Sequence, residues 1–244
     1  LQYNASTGAF AKVYADTNTS QSNNLTGPTY ITFASDGTLY VSSAGNNEVI
    51  RYQAGTGSFL DVFVTSGRGG LSTPQGVVVL PGSPGRLLVV SADTAQVLSY
   101  SLNTGVYTGP FTPGPLIAPT RITFGPGGLY GTQAAFVSSS GTNSVLEYEL
   151  DDYTPPGTAA NYHLGRLVSD YIAAGSGGLA SPNGLVFTAD GTLLVSSTNS
   201  DDIIRFNAGT GLLRDSLQPA RPVSPTFTAY NPADGLLYVS GTGS

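Results

Sequence analysis

The sequence predicts an all-β fold assembled from repeated four-stranded antiparallel units, and three observations carry that prediction. Two stretches run in register: PTYITFASDGTLYVSSAGNNEVIRYQAGTGSFLDVFV (28–64) and PNGLVFTADGTLLVSSTNSDDIIRFNAGTGLLRDSL (182–217). Each holds four short runs of Val, Ile, Leu, Phe and Tyr separated by Gly, Pro, Asn and Asp, which is the pattern of strands between turns. Nowhere does a helical apolar period persist for three turns.

The elements of one unit follow in order. A proline opens the first strand. Asp36-Gly37, Asp190-Gly191 and Asp234-Gly235 then stand where it reverses into the second, because Asp-Gly supplies the positive φ of a tight hairpin. The second strand ends on Val-Ser-Ser, a polar loop follows, and the third ends on Arg and an aromatic residue. The Thr-Gly pairs at 7–8, 56–57, 104–105 and 210–211 mark the turn into the fourth strand. A looser copy covers 74–111, and another begins PTRITFGPGG (119–128), continues at 134–150 and is interrupted before 167–175. The Gly-rich stretches 65–74 and 175–182 open no helix, so they read as connectors between units and not as phosphate loops.

A four-stranded unit recurring about every 45 residues is a propeller blade, and it can bury its faces only against neighbouring blades. The C-terminus supplies a first and a second strand (226–230, 236–240), and the N-terminus a third and a fourth (1–3, 9–14). The expectation is therefore a single five-bladed β-propeller over 1–244. Its blades are placed near 28–72, 73–118, 119–181, 182–224, and 225–244 plus 1–27, the last a composite of both termini. A six-bladed ring is the alternative, although no further repeat is found.

Composition bounds the function. Charged residues are 10% of the chain, against roughly a quarter in ordinary proteins. Net charge is −6 and Lys12 is the only lysine, so no basic stripe is available for nucleic acid or for an anionic membrane surface. No apolar run approaches the roughly 20 residues that span a bilayer. With no cysteine, disulfides and thiolate metal sites are excluded. With no methionine, the chain is expected to derive from a longer or processed precursor.

The pattern Pro-x-x-apolar, Asp-Gly-x-Leu-Tyr-Val-Ser, Val-x-Arg-Tyr and Thr-Gly resembles the NHL-repeat family of β-propellers over nearly the whole chain. It is especially similar to arrays in exported bacterial surface proteins, where units like VIRYQAGTGSFLDVFV (49–64) occur. Two enzyme classes of similar fold make residue-level demands. Lactonases of the gluconolactonase type hold a divalent metal with Glu, Asn and Asp, and here only Asn183 in SPNGLVF matches. The other residues after the blade-opening prolines are Thr29, Gln75, Thr120 and Thr226, a neutral set that suits no hard cation. Lyases of the streptogramin type rely on histidines, and His163 is the only one. Asp151-Asp152 and Asp201-Asp202 lack the alternating ligands of a calcium loop and read as solvated charge. No catalytic, cofactor or metal site is assigned.

What remains is Asn-x-Ser/Thr at Asn4, Asn18 and Asn24, three candidate glycan acceptors in turns or loops. Tyr153, Tyr162 and Tyr171 around the interruption form a candidate interaction patch, since Tyr suits interfaces. The expected function is a non-catalytic extracellular or cell-surface structural or adhesive module, self-assembling into a filament or surface layer. A propeller binding glycan or peptide is the first alternative, and a metal-dependent lactonase-like hydrolase the second. No nucleic-acid partner and no membrane insertion are expected.

Overall fold

The computed structural model describes residues 2–4, 6–13, 25–80, 85–112, 114–127, 133–150, 165–218, 223–231 and 234–243. The chain folds as two compact units, residues 1–109 and 110–244.

The first unit opens with a two-stranded sheet, β1 (Gln2–Tyr3) on β2 (Phe10–Lys12). A four-stranded antiparallel sheet follows: β3 (Pro28–Phe33), β4 (Thr38–Ser43), β5 (Glu48–Gln53) and β6 (Phe59–Val64). Its neighbour is β7 (Pro74–Leu80), β8 (Arg86–Ser91), β9 (Gln96–Ser101) and β10 (Tyr107–Pro110).

The second unit repeats the plan. It holds β11 (Pro119–Gly125), β12 (Ala134–Ser139), β13 (Ser144–Glu149) and β14 (Leu167–Ile172) in one sheet. Next comes a sheet of β15 (Pro182–Phe187), β16 (Thr192–Ser197), β17 (Asp202–Asn207) and β18 (Leu213–Leu217). The unit ends in a two-stranded sheet of β19 (Pro225–Asn231) and β20 (Leu236–Gly241). The described residues thus make four complete blades and two half-blades, five blades' worth of strands. The half-blades are the pairs of strands expected from the two termini, each standing as its own sheet.

Local chemistry accounts for the turns. Gly37, Gly191 and Gly235 take φ of 80°, 75° and 71°. Asp36 Oδ1 accepts from Thr38 N at 2.9 Å, and Asp234 Oδ1 from Leu236 N at 2.9 Å. The Thr-Gly turns lie between third and fourth strands, with φ from 66° to 80° at Gly8, Gly57, Gly105 and Gly211. The two Gly-rich connectors each form a single 3-10 turn, Arg68–Gly70 and Ser176–Gly178.

Second strands such as TLYVSS (38–43), AAFVSS (134–139) and TLLVSS (192–197) are buried at every position, as strands covered on both faces must be. The core lies between consecutive blades. In the first unit Tyr40, Val49, Phe63 and Val64 share one cluster with Val77, Leu87, Val89, Leu98 and Tyr100 of the next blade. In the second, Phe136, Val145 and Ile172 share one with Leu185, Leu193, Val195, Ile204 and Phe206. Each such side chain contributes on the order of 1.5–3 kcal/mol by leaving water.

Candidate functional site

The residues after the blade-opening prolines are those weighed above against the lactonase resemblance, and the hydroxyls of Thr29 and Thr120 are already engaged. Thr29 Oγ1 donates to Pro74 O at 2.8 Å and lies 2.9 Å from Ser42 Oγ. Ser42 Oγ in turn donates to Gln75 O at 2.7 Å. The same arrangement recurs in the second unit, where Thr120 Oγ1 donates to Pro182 O at 3.0 Å and Ser138 Oγ to Asn183 O at 2.9 Å. One blade further on, Thr198 Oγ1 donates to Pro225 O at 2.8 Å. A hydroxyl on one blade therefore satisfies a carbonyl on the next, which matters because a buried carbonyl left unpaired costs about 1–3 kcal/mol. Asn183 differs: its Oδ1 is buried with no hydrogen-bond partner among the described residues.

A second set of polar residues also joins blades. Asn47, Asn143 and Asp201 sit in the turn between second and third strands with φ of 60°, 55° and 60°. Their Oδ1 atoms accept from Thr73 N, Ser181 N and Ser224 N at 2.6, 2.8 and 2.7 Å. The donating residue always precedes the proline that opens the next blade. Asx side chains tolerate the left-handed conformation and cap nearby amides, which explains their use here.

Two of the Thr-Gly turns press on the preceding blade. A Cβ at Gly105 would stand 2.5 Å from Phe63 O, and one at Gly211 would stand 2.1 Å from Tyr171 O. Only glycine fits these contacts.

Among the described residues no group of three or more His, Cys, Asp or Glu could hold a metal ion. His163, Asp151 and Asp152 lie outside the described residues, as do the candidates Asn18, Asn24, Tyr153 and Tyr162. Asn4 is exposed in the turn after β1, where its Oδ1 accepts from Ser6 N at 2.9 Å and Thr7 N at 3.0 Å. Tyr171 is half-buried. Its hydroxyl donates to Ala208 O at 2.6 Å, its ring meets Phe136 edge-on at 4.7 Å, and burial pushes its phenol up to about 12. Asp201, read from sequence as solvated charge, is one of the blade-joining Asx residues. The signal for it was the recurrence of Asn or Asp at one place in the repeat.

Two features had no sequence signal. An apolar cleft of about 350 Å³ opens in the second unit, lined by Ile203, Leu217, Val223, Pro225, Leu237 and Val239. Beside it, Leu236, Tyr238 and Val239 of β20 are exposed, and in the first unit so are Tyr3 and Phe10 on β1 and β2.

Solved structures match the chain over most of its length. One is a catalytically inactive virginiamycin B lyase from Staphylococcus aureus with quinupristin (TM-score 0.61, 15% identity, 88% of this chain and 63% of that one). Another is a nidogen/laminin complex (TM-score 0.63, 13% identity, 89% and 73%). A third is an auxiliary nutrient binding protein from Bacteroides ovatus (TM-score 0.56, 15% identity, 86% and 55%). The fold is a β-propeller. At such identities the likeness carries the fold alone, and the chain spans 63% of the length of that lyase. No protein-family model and no curated protein matches the sequence. Among the described residues no helix is long and apolar enough to cross a membrane.

Proposed function

We propose that the chain is a non-catalytic, extracellular structural or adhesive propeller that associates with copies of itself. The observation that carries this reading is the use made of the repeat's polar positions. Thr29, Thr120, Thr198, Asn47, Asn143 and Asp201 all hold one blade to the next. Among the described residues, exposed large apolar side chains occur on the half-blades (Tyr3, Phe10, Leu236, Tyr238, Val239) and also on the complete blades (Ile31, Phe33, Leu60, Leu213, Leu217). A surface with few charges offers little repulsion between copies, which favours association. The resemblance to NHL-type repeats of exported surface proteins supports an extracellular setting, and so do the sequons at Asn4, Asn18 and Asn24. Glycans there would hydrate a surface that its charges do not.

Electron microscopy of purified material tests the proposal. Regular filaments or sheets are the expected result, and dispersed single particles at every concentration would count against it. Peptide mass mapping before and after glycosidase treatment tests the sequons, where unmodified Asn4, Asn18 and Asn24 in native material would remove the glycan part.

A second reading has one observation in its favour. The unpartnered Asn183 Oδ1 stands at the position that the lactonase resemblance assigns to a metal ligand. Stoichiometric calcium or zinc after dialysis would favour a lactonase-like hydrolase over a structural module. Binding of glycan or peptide at one mouth of the propeller draws support from the nutrient binding protein and the nidogen/laminin complex among the structural neighbours, and an array of such ligands is its test.

A further inference from the structure

We propose that Asn183-Gly184 is a shielded deamidation site: the folded chain keeps the pair intact, and opening of its blade releases it to react. The inference rests on one peptide group and its neighbours, and it does not depend on the self-association proposed above.

Asparagine is a thermolabile residue, and a following glycine makes it most so, because no side chain obstructs the attacking amide. Of the chain's asparagines, only Asn183 precedes a glycine. In the reaction Gly184 N attacks Asn183 Cγ. The N–Cγ bond forms, the Cγ–Nδ2 bond breaks, and Nδ2 leaves as ammonia with the proton that Gly184 N gives up. Water then opens the five-membered imide at either carbonyl, leaving aspartate or isoaspartate at 183.

The fold holds that peptide group at both ends. Gly184 N donates to Ser196 Oγ at 2.6 Å, and the Asn183 carbonyl accepts from Ser138 Oγ at 2.9 Å. Both serines are fully buried. Pro182 pairs with Ser197 and Leu185 with Val195, so Asn183 and Gly184 lie together opposite Ser196 in a bulge. Beyond them stands β19: a Cβ on Gly184 would lie 3.0 Å from Thr228 N and 3.1 Å from Phe227 Cα. The attack needs this amide stripped of its proton and turned toward Cγ. Neither can happen while Ser196 holds the N–H, Ser138 holds the carbonyl and β19 fills the space beside them.

Conversion would leave a lasting mark. Asn183 Oδ1 is buried with no partner among the described residues, so a carboxylate there would bury charge without a donor to meet it. Isoaspartate would add a backbone carbon between the two serine bonds. A blade that has opened long enough to react therefore cannot close as before. Gln75-Gly76 stands at the same place in the first unit, with its carbonyl held by Ser42 Oγ at 2.7 Å. Its longer side chain would have to close a six-membered ring, which makes it an internal control.

Native chain and chain unfolded in guanidinium are held side by side in mildly alkaline buffer. Peptides containing residues 75 and 183 are followed by mass spectrometry, with isoaspartate identified by its fragment ions. The expected result is conversion of Asn183 in the unfolded chain and at least about tenfold slower conversion in the native one, with Gln75 unchanged in both. Equal rates at Asn183 in the two states would overturn the inference. Ser196→Ala, checked for folding by circular dichroism, is expected to speed conversion in the native chain by up to about tenfold, the worth of one net hydrogen bond. A folded Ser196→Ala chain as resistant as the parent would overturn the part given to the Ser196 hydroxyl. Ser138→Ala, which frees the carbonyl end of the same peptide, is the second variant should the first fail to fold, and the same two outcomes decide it.

Discussion

Leu39-Tyr40-Val41-Ser42 on β4 and Leu237-Tyr238-Val239-Ser240 on β20 are the same four residues at the same place in the repeat, each two residues past an Asp-Gly turn. Their surroundings could hardly differ more. Tyr40 is 1% exposed and Tyr238 is 54% exposed. Tyr40 meets Phe63 edge-on at 5.1 Å, and Arg51 helps to hold its hydroxyl. Tyr238 donates its hydroxyl to Asp234 Oδ2 at 3.1 Å. The difference teaches that the strand is written locally and the burial is not. A Leu-Tyr-Val-Ser segment makes a second strand wherever an Asp-Gly hairpin precedes it, but it becomes core only when a third strand lies beside it and another blade covers it.

The comparison is sharpest in substitution. Tyr40→Ala removes a buried ring from a packed cluster and is expected to cost about 3–5 kcal/mol, read as a lowered unfolding midpoint in denaturant. Tyr238→Ala, which removes an exposed ring, is expected to change stability by no more than about 0.5 kcal/mol. Equal losses of stability from the two would show that β20 is as buried in solution as β4.

The Thr-Gly turns extend the contrast to backbone contacts. Among the described residues a Cβ placed on Gly8, in the N-terminal half-blade, would meet nothing within 4 Å, whereas one on Gly211 would meet Tyr171 O at 2.1 Å. Both glycines have positive φ, so alanine at either is strained by about 1–2 kcal/mol. Gly211→Ala must also move one blade off its neighbour, so its thermal midpoint is expected to fall clearly below that of Gly8→Ala. Comparable midpoints would place the Gly8 turn in an equally tight contact.

Tyrosine ionisation gives a smaller effect, visible only in alkali. Burial pushes the Tyr52 phenol up to about 12 and raises those of Tyr40, Tyr100 and Tyr148. A phenol raised in the folded state favours folding fully below its unfolded value near 10, and that contribution is lost as pH climbs through the folded value. Stability is therefore expected to fall between about pH 10 and 12. Phenolate absorbance for these buried rings should appear together with unfolding. Their ionisation with the fold intact would contradict their burial.

Much of the fold was legible because its signals are short-range. Asp36-Gly37 and Asp190-Gly191 place hairpins, the Thr-Gly pairs place the outer turns, and repetition places the blades. Less of the candidate site was legible because its meaning lies one repeat away. Thr29 reads as a neutral residue at a blade opening, but its acceptor, Pro74 O, belongs to the next blade. Asp201 reads as loose charge until Ser224 N is seen beside it. The ion pairs Arg51–Asp61 and Arg205–Asp215 repeat the same spacing of ten, a regularity present in the sequence that gains meaning only once β5 lies on β6 and β17 on β18. The exposure of β20 has no counterpart in its own residues, since those residues are core elsewhere.

Hydrogen exchange followed across protein concentration tests the central claim most directly. The peptide covering 38–43 should be protected to the same degree at every concentration. The peptide covering 236–241, whose large side chains are exposed, should exchange faster than 38–43. Full protection of 236–241 at the lowest concentration, matching 38–43, would contradict the account.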